Sequence, residues 1–243
     1  MVDTAQRTGV TRIAGLASIV TGLAGAAWFY LESTPPRLGF DDTDSPAVSL
    51  QFLEGHAIVY AQAGVVLFVM AIALIIASHA VSEALASRAT PLALRVATTF
   101  GLLSAALFFM HGVLRLGVQP ILYVNGLRGE WGQTAYLVSQ FAGIHGFAQG
   151  AITTLCIWAV GISIIGFRTR ALPTGLCILG LVPGFRLLGI LGPILKSAGT
   201  DELPAGAWIL FMASIVGVMV WCLALGVVLL QRRPPSAAAT PAA

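Results

Sequence analysis

The stretch that decides the fold is residues 55–78, GHAIVYAQAGVVLFVMAIALIIAS, which contains no Asp, Glu, Lys or Arg. Roughly 20 consecutive apolar residues in a helix span the hydrocarbon core of a bilayer, so this stretch is long enough to cross a membrane. A backbone inside lipid must satisfy its own hydrogen bonds, and a helix does so within a single segment. The stretch therefore predicts a transmembrane helix.

Five further stretches have the same apolar character. Together with the first they predict six spans, at residues 13–31, 55–78, 96–118, 136–167, 172–195 and 207–230. The fourth is the longest, which predicts that it is tilted or extends beyond the hydrocarbon. The tail at 234–243 is rich in Pro and Ala, which is typical of a disordered end. We therefore expect residues 1–233 to form an all-α polytopic membrane helical bundle with six transmembrane helices.

The composition of the whole chain agrees with this class of protein. Of its 243 residues, 57% are hydrophobic and 9% are charged, whereas charged residues make up about 25% of an ordinary soluble domain. A soluble domain of this length could not cover its surface with 13 basic and 10 acidic residues. The same figures exclude an intrinsically disordered chain, a nucleic-acid-binding domain and a disulfide-rich scaffold.

The charged residues separate by side of the membrane. Basic residues lie mainly before span 1, between spans 2 and 3, between spans 4 and 5, and after span 6, whereas acidic residues lie mainly in or beside the other loops. Because loops rich in Lys and Arg stay in the cytoplasm, we expect both termini to be cytoplasmic. The use of Arg almost throughout in place of Lys is typical of a high-GC bacterial genome, which places the protein in a bacterial inner membrane. The first apolar run continues to Leu31, which favours a retained helix over a cleaved signal peptide.

Spans 2 and 4 share a sequence pattern, and so do spans 3 and 5. The corresponding segments are YAQAG at 60–64 and FAQGA at 147–151, and then RLGVQPIL at 115–122 and RLLGILGPIL at 186–195. Since the paired spans cross in the same direction, a duplication would be a parallel repeat about an axis along the membrane normal. In that case spans 2–5 form a four-helix core flanked by spans 1 and 6. The alternative is chance similarity between apolar helices, because the two Arg-to-Pro intervals differ.

Polar and ionisable side chains gather in the outer halves of spans 2–5. A rise of 1.5 Å per residue places Arg115 roughly 5 Å below the outer end of its span, His111 about 10 Å, and His145 and Arg186 about 14 Å. Ionisable groups inside lipid are costly, so they indicate a functional site. The candidate ligand-binding residues of this zone are His56, Tyr60, Gln62, His111, Arg115, His145, Gln149 and Arg186.

The arginines of this zone lack an obvious counter-charge. No Asp or Glu lies within the apolar spans, and the closest acids are Glu32, Glu54 and Glu130 at outer ends. An unpaired buried charge costs several kcal/mol. Arg186 therefore requires backbone carbonyls, water, an end-of-helix acid such as Glu32 or Glu54, or an anionic ligand. Arg115 lies close enough to the surface to snorkel toward it.

Three functions are open at this point. The first is a cationic, outward-facing pocket in spans 2–5 that binds or moves a small anionic or amphiphilic ligand, such as a lipid headgroup or a fatty carboxylate. The second is a redox protein with b-type haem held between His111 and His145, or between His56 and His145, as in six-span b-type cytochromes. The third is a non-catalytic accessory subunit that joins a membrane-complex partner or a homo-oligomer. An enzyme is not favoured, because the chain has no HExxH, GxSxG or phosphate-loop motif.

Several short segments resemble a known family. They are RIAGL at 12–16, HGF at 145–147, RALP at 170–173 and GFRL at 184–187. On these segments the chain resembles a family of bacterial six-helix membrane proteins that is known only as a domain of unknown function. The resemblance covers most of the chain and implies the same six-helix topology, but it implies no activity, substrate or catalytic residue. The acidic loop between spans 1 and 2 is not matched.

Overall fold

The chain folds as an all-α bundle, as the sequence predicts. A computed structural model describes residues 4–39, 45–118, 129–189 and 205–232, and within these ranges the regular structure is helical, with no strand. The predicted disordered tail at 234–243 lies outside the described residues.

The helices vary widely in length. They are α1 (Thr4–Glu32), α2 (Thr34–Arg37), α3 (Pro46–Gly55), α4 (Ala57–Leu85), α5 (Pro91–Val113), α6 (Glu130–Gln140), α7 (Gln149–Arg168), α8 (Thr174–Leu179), α9 (Phe185–Gly189) and α10 (Ala205–Gln231). A π-helical turn at Leu114–Val118 continues α5, and a π-helical segment at Phe141–Ala148 joins α6 to α7. Such π-helical turns are rare and occur frequently at functional sites.

Five stretches of helix are long and apolar enough to cross a bilayer, which makes the chain a multi-pass membrane protein. They are Thr8–Glu32, Ala57–Leu85, Pro91–Gly117, Glu130–Arg168 and Ile209–Gln231. The predicted span at 172–195 differs from the others. It contains α8, a 3-10 turn at Val182–Gly184 and then α9, and residues 190–195 lie outside the described part of the chain. Pro183 lies at this break, where its missing N–H and its ring disfavour a continuous α-helix.

The long helices pack in a ring. α1 packs against α4 and α10, α4 packs against α5, and α5 packs against α7, while the α8–α9 segment packs between α7 and α10. Side chains from all of these helices fill the core, including the buried residues Trp28, Leu74, Phe108, Trp158 and Trp221. The expectation that the first and last spans only flank a core of spans 2–5 is therefore wrong. These two helices are antiparallel neighbours that close the ring.

Glycines bring α1 and α10 into close contact. A Cβ atom added at Gly226 would lie 2.6 Å from the carbonyl oxygen of Gly15, and one added at Gly22 would lie 2.9 Å from the carbonyl oxygen of Met219. Small residues allow this approach of two backbones in a membrane bundle. Because the facing atoms belong to backbones, a larger side chain here must move a whole helix.

Candidate functional site

The structure divides the predicted polar zone into two clusters, each built around one buried arginine. The Arg115 cluster consists of Trp28, Glu32, Tyr60, His111 and Arg115. The Arg186 cluster consists of Gln149, Thr153, Arg186 and Phe211. Both lie toward the end of the bundle where α1 ends and α10 begins.

In the Arg115 cluster, the carboxylate of Glu32 faces nitrogen atoms from two helices. Nη2 of Arg115 donates to Oε2 of Glu32 at 2.5 Å, and Nε2 of His111 lies 3.5 Å from Oε1. Nε1 of Trp28, one turn earlier on α1, donates to the same Oε1 at 3.2 Å. The guanidinium carbon of Arg115 lies 5.1 Å from the centre of the Tyr60 ring, within the range of a cation–π contact. The charge of Arg115 is thus neutralised within the protein.

Two glycines make room for this arrangement. A Cβ atom added at Gly64 of α4 would lie 3.1 Å from Cβ of Arg115, so the absence of a side chain lets α4 approach the π-helical turn that carries Arg115. A Cβ atom added at Gly143 would lie 3.2 Å from Nδ1 of His111. Gly143 belongs to the second π-helical segment, so each π-helical segment carries or adjoins one side chain of the cluster.

The prediction that Arg115 snorkels to the membrane surface is wrong. Its side chain is 1% exposed, like that of His111, whereas Glu32 is 22% exposed. Glu32 ends α1 at the depth of Arg115 and reaches it from the neighbouring helix, which makes a path to the surface unnecessary. Sequence reasoning missed Glu32 as a site residue because it treated the first span as flanking. The sequence feature that could have identified Glu32 is its position directly at the end of the first apolar run, with no loop residue between them.

No carboxylate belongs to the Arg186 cluster among the described residues. Nη2 of Arg186 donates to Oε1 of Gln149, and Nε donates to Oγ1 of Thr153 at 3.5 Å, a long contact. These two α7 residues are four apart and so share a helix face. The guanidinium carbon also lies 4.2 Å from the centre of the Phe211 ring of α10. Sequence analysis did not identify Thr153 or Phe211, although the spacing from Gln149 pointed to Thr153.

One guanidinium nitrogen of Arg186 has no partner in the part of the chain that the structure describes. The residue is 3% exposed, and Nη1 has no hydrogen-bond partner among the residues that the structure describes. An ion pair with Glu32 or Glu54, one of the partners that the sequence leaves open for Arg186, is not formed among the described residues, and Glu32 faces Arg115 instead. A buried cation with a free donor is a strong candidate for anion binding.

Three predicted site residues are not among the described members of these clusters. Nδ1 of His56 hydrogen-bonds to the carbonyl oxygen of Phe52 at 2.9 Å, and its ring stacks on the Phe52 ring at the junction of α3 and α4. Gln62 is exposed on α4. His145 belongs to the second π-helical segment, but its side chain lies outside what the structure describes. The eight predicted residues thus do not form one described pocket.

The geometry around His111 does not favour a haem. An axial ligand must direct one ring nitrogen at the iron, with space for the macrocycle beside it. Nε2 of His111 faces Glu32, and Nδ1 faces the backbone of Gly143. Within the described ranges, no group of three or more His, Cys, Asp or Glu side chains is arranged to hold a metal ion.

Comparisons with family models, with curated proteins and with solved structures give no match to this chain. The resemblance to the bacterial six-helix family therefore stays a prediction. The chain is an all-α, multi-pass membrane bundle with two buried arginine clusters.

Proposed function

We propose that the chain is a bacterial inner-membrane protein, with both termini in the cytoplasm, that binds or moves a small anionic or amphiphilic ligand at the Arg186 cluster. The observation that carries this proposal is that Arg186 is 3% exposed and that its Nη1 has no hydrogen-bond partner among the described residues. Leaving such a charge unpaired costs several kcal/mol. A carboxylate or phosphate on the ligand would supply the missing charge and accept the free donor.

The contrast between the two clusters supports Arg186 over Arg115 as the ligand contact. Arg115 has its counter-charge in Glu32, at 2.5 Å. Arg186 instead has neutral partners, which hold the guanidinium in place without cancelling its charge. Gln149 offers the ligand a second kind of donor in its amide nitrogen. The Phe211 ring beside the guanidinium supplies an apolar surface, as an acyl chain attached to the anionic group requires.

Arg186→Gln is expected to weaken binding of a fatty acid probe by about ten- to a hundredfold, which corresponds to the loss of a charge-assisted hydrogen bond. Glutamine removes the charge and keeps a polar side chain beside Gln149, so it perturbs packing less than alanine does. The measurement is equilibrium binding of a fluorescent fatty acid to the purified protein in detergent, beside a neutral fatty alcohol of the same chain length. Binding of the neutral probe should not change by a comparable factor.

Two controls make this result interpretable. Arg95→Gln removes one exposed arginine from α5 and should leave the affinity for both probes unchanged. The proposal is refuted if wild type and Arg186→Gln bind the fatty acid with equal affinity while thermal unfolding curves show that both proteins are folded. The acids Asp201 and Glu202 lie outside the described residues. If the wild type does not bind the fatty acid but the Asp201→Asn/Glu202→Gln variant does, one of these acids is the natural partner of Arg186, and the proposal fails.

A further inference from the structure

Two arginine side chains from distant parts of the chain, those of Arg88 and Arg232, contact one turn at the end of the bundle opposite the two clusters. Arg88 follows α4, Arg170 follows α7 and Arg232 follows α10. Arg232 donates from Nη2 to the carbonyl oxygen of Ala171, and Arg88 donates from Nη1 to the carbonyl oxygen of Arg170 at 3.4 Å. Two guanidinium groups therefore converge on consecutive carbonyl groups of one turn.

Backbone hydrogen bonds fix the turn on which these side chains converge. Arg170 has a φ of 51°, in the left-handed region, which is typical of the residue that ends a helix. The N–H of Ala171 donates to the carbonyl oxygen of Gly166 at 2.9 Å. Leu172 packs where a side chain at Gly166 would lie, since an added Cβ atom would be 2.7 Å from its Cγ. The two guanidinium groups are thus positioned by a rigid helix end and not by a loose loop.

The arginines at this end have no counter-charge among the described residues. Among the described residues, neither Arg88, Arg170 nor Arg232 forms an ion pair, and Glu83, the one described acid at this end, is exposed and forms none. Burial lowers the pKa of the Arg232 guanidinium, and the nearby charge of Arg88 lowers it further. Both effects disfavour the protonated form of Arg232, and a bound anion would offset them. Guanidinium groups bind phosphate through two parallel hydrogen bonds, so phosphate is the anion that we expect at this site.

We propose that Arg88 and Arg232 bind the phosphate of an anionic phospholipid headgroup. The site lies where α4, α7 and α10 end, at the level that headgroups occupy beside transmembrane helices, and basic pockets between such helices bind anionic lipids. Free phosphate shares the chemistry of the headgroup but has no acyl chains. The chains would pack on the exposed apolar side chains beside the site, such as Phe167 and Leu230, which are 57% and 37% exposed. This proposal is independent of the ligand at the Arg186 cluster.

The test is native mass spectrometry of the purified protein with phosphatidylglycerol and, separately, with phosphatidylcholine. We expect the wild type to retain phosphatidylglycerol, and the double variant Arg88→Gln/Arg232→Gln to lose about tenfold or more of that affinity. The matched control is Arg12→Gln/Arg95→Gln, which removes the same charge from the same end. These arginines are exposed, and their side chains make no hydrogen bond to a described residue. The control should bind phosphatidylglycerol like the wild type.

Three results would overturn the proposal. The first is an equal loss of affinity for phosphatidylglycerol in the two double variants, with thermal unfolding curves showing that both are folded. It would mean that the lipid is attracted to the basic surface in general. Wild-type affinity in Arg88→Lys/Arg232→Lys, which keeps the charge but removes the guanidinium fork, would exclude a site built for phosphate. Complete displacement of phosphatidylglycerol by soluble glycerol phosphate at equal concentration would show that the acyl chains contribute nothing, and the lipid assignment would fail.

Discussion

Glu32→Gln is expected to lower the free energy of unfolding by about 3 kcal/mol, at the lower end of the range for breaking a buried ion pair. The substitution removes the negative charge that faces Arg115 at 2.5 Å, while Arg115 stays 1% exposed. The buried cation then loses the carboxylate of its cluster. The lower end of the range applies because Glu32 is 22% exposed, so water partly compensates for the lost charge. Unfolding in mixed detergent micelles, followed by circular dichroism, measures the change.

A second substitution distinguishes charge from packing. Arg115→Met in the Glu32→Gln background removes the uncompensated cation and keeps an apolar side chain of similar length over Tyr60. We expect the double variant to be more stable than Glu32→Gln, because replacing both members of a buried pair costs less than removing one. Glu83→Gln, at an exposed acid on α4, is the control and should change stability by less than about 0.5 kcal/mol. A double variant no more stable than Glu32→Gln would show that Glu32 acts through packing alone.

The fold class follows from the sequence because one rule dominates it. Long uncharged stretches in lipid must be helical, and this requirement placed α10 within two residues of its observed ends, and α4 and α5 within seven. The same rule does not specify which helices are neighbours. The closure of the ring by α1 and α10 depends on backbone contacts between Gly15 and Gly226, and such a contact is not visible in a hydropathy pattern.

The candidate site was only partly predictable for the same reason. The spacing of four residues predicted that Arg115 lies near His111, and both face Glu32 in the structure. Depth along the spans predicted that Arg186 is level with His145, whereas its contact is with Gln149, one turn further along. Depth does not give rotation about the helix axis, and in π-helical segments the usual spacing of 3.6 residues per turn is lost. Sequence reasoning therefore could not tell that Arg115 turns toward α1, where Glu32 lies, while Arg186 turns toward α7.

The parallel repeat stays a prediction. It aligns Arg115 with Arg186, so the surroundings of these two residues can be compared. Each arginine contacts a residue of the preceding long helix, Tyr60 or Gln149, and a residue of an end helix, Glu32 or Phe211. The positions correspond, whereas the chemistry does not. The end helix supplies a carboxylate to Arg115 and an aromatic ring to Arg186. This difference is why we assign a structural role to Arg115 and propose an anionic ligand for Arg186.

Gly226→Val is expected to destabilise the bundle by about 3 kcal/mol, the upper part of the usual range for overpacking. A Cβ atom at this position would lie 2.6 Å from the carbonyl oxygen of Gly15 and 3.0 Å from the backbone nitrogen of Ile19. Neither atom can move without α1 moving as well. Because α1 also carries Glu32, displacement of this helix should loosen the contact with Arg115 in addition.

Gly206→Val is the matched control, because it places the same side chain on the same helix with no atom within 4 Å of the new Cβ. It should change stability only by the small difference in helix propensity between the two residues, less than about 1 kcal/mol. Gly15→Val, with Gly9→Val as its own control, repeats the test from the α1 side of the contact. A Cβ atom at Gly15 would lie 2.9 Å from the carbonyl oxygen of Gly226, whereas one at Gly9 meets no atom within 4 Å. If Gly226→Val and Gly206→Val unfold at the same detergent concentration, α1 and α10 are not in backbone contact, and the ring is not closed between them.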